Sequence, residues 1–201
     1  MAATPDRLNN SKNRIQSPRT PTSPSDTTVG ASRVKDAVEK CIDLYQKWRI
    51  TTQKGAQYCN AIESIEKGVL EPKAKNCNPY PANLELYCKN LAILNGILEE
   101  VVNDLDMIVQ QQQVLELVMK GELVGRSWSM EYVLDALRRI LQSFRSELVL
   151  RKVVTENIGH GCSVQELALH VAFWEQLSNQ NENMNLLVKM LHSELNIPLT
   201  S

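Results

Sequence analysis

From Val34 onward the chain repeats itself every seven residues, and no other feature restricts its folding as tightly. Val34, Cys41, Trp48, Gly55, Ile62 and Val69 recur at that interval, and the positions three further on, Ala37, Leu44, Thr51, Tyr58 and Ile65, are small or largely apolar. Such a pattern lays one seam along a long helix. A second series runs through Leu84, Leu91, Leu98, Leu105 and Met119, flanked by Tyr87, Leu94, Val101, Ile108 and Leu115, with Gln112 as its one polar member. Continuous from about residue 83 to 120, that helix would be about 55 Å long. Two such helices joined through the loop that holds Pro72, Pro79 and Pro81 form an antiparallel hairpin, or share a bundle with a partner chain. Gly55 inside the first seam costs about 1 kcal/mol of helix propensity relative to Ala, so it marks either close approach of a neighbouring backbone or a kink. The glutamines from 110 to 113 read as a solvated stretch, or else Gln112 marks a register or a partner contact.

Beyond the second seam, Gly121 and Gly125 interrupt the pattern, and Ser127 or Ser129 can cap the next helix. Met130, Val133, Leu137, Ile140 and Phe144 begin an apolar stripe at helical spacing that continues to Ile158. Gly159 and Gly161 stop this helix by adopting the left-handed conformation. Ser163 to Glu166 forms a capping box, with Cys162 and Leu167 placed for a hydrophobic staple. The spacing therefore predicts helices over about 33–68, 83–120, 130–158, 164–177 and 182–196, all within one helical domain at 33–198. No alternating strand pattern is present. The fold class is all-α: an elongated antiparallel helical bundle or coiled-coil hairpin with shorter C-terminal helices.

Residues 1–32 are mostly Pro, Ser, Thr, Asn and Asp, too poor in apolar side chains to repay the entropy of ordering, which predicts a disordered tail. Within it, Ser17, Thr20 and Ser23 each precede a proline. They meet the minimal requirement of proline-directed kinases and are the candidate phosphorylation sites; each phosphate would add about -1.5 to -2 charges to a basic tail. Over the whole chain, 22 Lys and Arg balance 23 Asp and Glu, which excludes a global attraction to nucleic acid or an acidic membrane face. Five scattered cysteines without a C-x-x-C pair, and no apolar leader or span, point to a soluble protein of a reducing compartment.

Catalytic motifs are missing: no phosphate-binding glycine loop, no nucleophile elbow and no H-E-x-x-H. His160, Cys162 and His170 lack the paired spacing of a zinc site, and Asp104 and Asp106 sit two apart on a helix, where they cannot face one substrate. Metal, cofactor and enzyme are therefore not expected. Arg138, Arg145 and Lys152 recur every seven residues, with Arg139 and Arg151 four residues after Asp135 and Glu147, so this face reads as solvated and paired. No aromatic residues interleave to stack bases, so direct nucleic-acid binding is not expected. Trp48 belongs to the core. Phe173 and Trp174, adjacent on one helix, point to different sides, so one of them is the candidate partner interface.

The segment Asp43-Leu44-Tyr45-Gln46-Lys47-Trp48, with Gly55 and Ala61-Ile62 beyond, resembles the opening helix of the cyclin-dependent kinase 2-interacting protein family. Ser127-Trp128, then Phe144, Glu147-Leu148 and Arg151-Lys152-Val153-Val154, then Trp174, resemble its C-terminal part in order and spacing. The resemblance covers about 40–65 and 127–195; the glutamine run and the SNQNEN segment depart from it. It implies a non-catalytic nuclear adaptor. The implied partners are cyclin-dependent kinase 2, Cdc7 kinase and a checkpoint kinase complex at the replication machinery, and AAA ATPases acting in replisome turnover and large ribosomal subunit maturation. The alternative from the seams alone is a structural homodimeric coiled coil.

Overall fold

The two seams close on each other. The computed structural model describes residues 24–70, 81–160, 163–179 and 182–197. In it α1 (Pro24–Leu70) and α2 (Ala82–Val118) run antiparallel, and α3 (Met130–Asn157) packs along α2. A short 3-10 turn at Ile158–His160 leads to α4 (Val164–Asn179) against α1, and α5 (Glu182–Glu194) closes the other end. The architecture is all-α, as the heptads require; among the described residues the only β feature is one bridge between Leu123 and Ser129.

The core has two storeys. The larger joins the first half of α1 to the second half of α2, with α3 and α5; at its centre the Trp48 indole stacks on Phe144 at 4.1 Å and 7°. The smaller joins the other halves of α1 and α2 to α4, around Ile62, Leu91 and Trp174. Each large side chain so buried contributes about 1.5–3 kcal/mol relative to an exposed one.

Helix α1 departs from expectation at two points. It begins at Pro24, so residues 24–32 are helical and not part of a disordered tail. Proline suits a first helical position, and Gly30 is buried so tightly against α2 that a Cβ there would lie 2.3 Å from Met119 Sδ. Tertiary packing thus extends a helix whose local composition argues against it. Secondly, Val38, Tyr45, Thr52, Cys59 and Glu66 are buried, whereas Leu44, Tyr58 and Ile65 of the expected seam are only half-buried. The cause is packing on more than one side: Val38 and Tyr45 join the larger core, Tyr45 lying 6.3 Å from Phe144 of α3, while Thr52 and Cys59 meet α4, so α1 buries a wider arc than a two-line coiled-coil seam. The hydroxyls this places inside are satisfied locally, Thr51 donating to Lys47 O at 2.7 Å and Thr52 to Arg49 O at 3.0 Å.

The remaining helix ends are set by specific residues. The Ser163 hydroxyl accepts from Glu166 N–H at 3.2 Å and caps α4; Cys162 and Gly161 lie outside the described residues. Gly159 does not take the left-handed conformation expected of a helix stop; it matters because a Cβ there would meet Cys88 Sγ at 2.7 Å. Among the described residues the left-handed glycine is Gly121, with φ 78°, in the turn after α2. At the start of α3 the Ser129 hydroxyl makes no cap bond. Glu194 of α5 holds the loop that leads into it, accepting from Ser127 N–H at 2.8 Å, Ser127 Oγ at 2.9 Å and Trp128 N–H at 3.2 Å. These donors hold its carboxyl below the usual glutamate range.

Candidate functional site

The helical register separates the two adjacent aromatics. Leu167, Val171 and Trp174 share one face of α4 and are buried, Trp174 completely, while Phe173 is 45 % exposed. Trp174 is therefore not a partner surface. Its indole N–H donates to Thr52 O at 3.0 Å, and its six-membered ring occupies the notch left by Gly55, where a Cβ would lie 2.2 Å from a ring carbon. Gly55 admits a neighbouring side chain, not the backbone expected from the sequence. On the other side the Arg151 guanidinium stands 4.4 Å from the indole centroid.

Arg151 is itself fully buried, which corrects its assignment to a solvated face. Glu147 Oε1 accepts from its Nε at 2.9 Å and also from Nη2, and Trp174 O accepts from Nη1 at 3.5 Å. Burial pulls the guanidinium below its ordinary pKa and the Glu147 carboxylate opposes that shift. Breaking such a pair by removing one partner costs about 3–5 kcal/mol. The residues that carry the family resemblance thus converge: Trp48 on Phe144, and Gly55, Glu147, Arg151 and Trp174 in one adjoining layer. They build a scaffold and offer no reactive group to solvent.

The other candidate residues do not assemble into a site. Ser17, Thr20 and Ser23 lie outside the described residues. Asp106 pairs with Arg145 of α3 at 2.9 Å, while Asp104 lines a groove on α1's side, so the two carboxylates diverge. No cluster of three or more His, Cys, Asp or Glu side chains able to hold a metal occurs among the described residues. Burial pushes the thiols of Cys41 and Cys59 up to about 12, leaving them protonated and unreactive at neutral pH. Nor is any helix among the described residues long and apolar enough to cross a membrane.

What stands open is a surface that sequence reasoning did not single out. Met107, Val114, Leu117 and Val118 of α2 are exposed, Val114 at 67 % and Leu117 at 76 %. Three of them, Met107, Val114 and Val118, border a groove of about 880 Å³ between α1 and α2. Its signal in the sequence is a further heptad line, Leu86, Ile93, Met107 and Val114, interrupted by Glu100. Gln112 lies in this groove; it is buried, and its Oε1 has no hydrogen-bond partner among the described residues. No protein-family model matches the chain, and no curated protein matches it.

Proposed function

We propose that this chain is a non-catalytic adaptor subunit of a nuclear assembly, one that links cyclin-dependent kinase 2 and Cdc7 kinase to the DNA replication and checkpoint machinery. On the same reading it is a subunit of an AAA-ATPase complex acting in replisome turnover and large ribosomal subunit maturation. The observation that carries the adaptor reading is the uncovered apolar line on α2. Contiguous exposed apolar surface on a folded domain marks a binding site for another macromolecule, and here it borders the groove between α1 and α2. The assignment to this assembly rests on the resemblance at residues 43–62 and 127–174, whose matching residues build that core. The homodimeric alternative loses its original basis, because the seams of α1 and α2 face each other within the chain.

Affinity purification of the tagged chain from its own cells, read by mass spectrometry, tests the assignment. Trp174→Ala is unsuitable as the control, since that residue is core. Wild type is compared with the doubly substituted Val114→Asp, Leu117→Asp chain, whose positions are exposed. Recovery of AAA ATPases or replication kinases with wild type, and their loss from the still-folded variant, is the expected result. Recovery of the chain alone overturns the adaptor reading.

A further inference from the structure

The groove between α1 and α2 has an asymmetric chemistry. Its floor is apolar: Ala37 and Leu44 of α1, Ile108 and Leu115 of α2. The α2 wall continues apolar through Met107, Val114 and Val118. On α1, the residues next to the floor by helical rotation are Arg33, Lys40 and Lys47, seven apart, with Asp36 and Asp43 one step further out. Lys47 is answered by Glu100 at 3.6 Å, at the end where Asp104 also lies. Arg33 and Lys40 form no ion pair among the described residues, and the facing α2 wall at their end offers only Gln111, Val114, Leu115 and Val118.

We infer that this groove is the docking site for an amphipathic helix of a partner protein. The helix lays apolar residues on the floor and carries acidic residues seven apart along the edge facing Arg33 and Lys40. The row from Arg33 to Lys47 spans fourteen residues, or about 21 Å, so the occupant is about four turns long. This inference rests on the adaptor reading and specifies the chemistry of the partner.

The test uses the full chain and two synthetic 21-residue helical peptides with the same leucine seam, one edged with Glu and one with Lys at heptad intervals. Fluorescence anisotropy reads affinity, and the methyl resonance of Met107 reads location. The Glu-edged peptide is expected to bind about tenfold tighter, as two exposed ion pairs would give, and to shift Met107. The preference is expected to vanish in the Arg33→Glu, Lys40→Glu chain and in high salt. Equal binding, preference for the Lys-edged peptide, or no binding overturns the inference. So does binding that instead dissociates a homodimer, which would make a second copy the natural occupant, or a Met107 signal already shifted by residues 1–23 and restored when these are deleted. Peptide binding without recovery of ATPases or kinases from cells would sink the assembly and keep the groove; the reverse outcome would keep the assembly and sink the groove.

Discussion

The two flanks of α2 differ in who answers the charges. Toward α3, Glu99 and Asp106, seven residues apart, meet Lys152 at 3.0 Å and Arg145 at 2.9 Å, also seven apart. Toward α1, the equally spaced Arg33 and Lys40 meet apolar or neutral residues. Exposed pairs contribute only about 0.2–1 kcal/mol each, so the closed ladder fixes the register of α3 more than it stabilises the fold. The open row has the same period and lacks its second half. The docking proposal rests on this contrast between the two flanks.

The largest test concerns the covered interior. Trp174→Ala should lose about 3–5 kcal/mol of stability in urea denaturation, whereas Phe173→Ser next to it should stay within about 0.5 kcal/mol. Equal effects would break the division between buried and open faces. Gly55→Ala should cost about 1–3 kcal/mol by forcing the indole out of its notch. Combined with Trp174→Phe, which makes room, its additional cost should shrink, and a strictly additive double-mutant cycle would refute the steric account.

On the open flank the sign reverses. Gln112→Leu removes the orphaned acceptor and should raise the unfolding free energy of the isolated chain by about 1 kcal/mol, seen as a higher denaturation midpoint. A loss would mean that Gln112 already has a partner. The smallest effects sharpen the ladder comparison: Lys152→Ala should cost up to about 1 kcal/mol, and Lys40→Ala should leave stability unchanged within measurement error.

The all-α fold was legible because leucines and valines at a seven-residue period leave few alternatives, and because Pro and Gly mark the breaks. The second buried line of α1 was not, since Tyr45, Thr52 and Glu66 do not read as core residues; only the elements that pack on α1 cover them, as Phe144 of α3 does Tyr45 and Trp174 of α4 does Thr52. The choice between Phe173 and Trp174 was present in the sequence: Leu167, Val171 and Trp174 keep helical spacing and Phe173 does not. The apolar line Leu86, Ile93, Met107 and Val114 was present in the sequence, but the groove beside it was hidden because it depends on how α1 and α2 are rotated against each other. The helical start at Pro24 was hidden for a related reason, as Gly30 gains its place only from Met119.

The hydrogen bond from Trp174 to Thr52 joins residues 122 apart in the chain. At about 5–20 residues per second of synthesis, the Gly55 notch emerges from the ribosome roughly 6 to 24 seconds before the indole that fills it. For that interval the apolar side of α1's second half has no fourth helix to cover it. Newborn chains therefore pass through a stage, set by the rate of synthesis, in which this apolar surface is exposed.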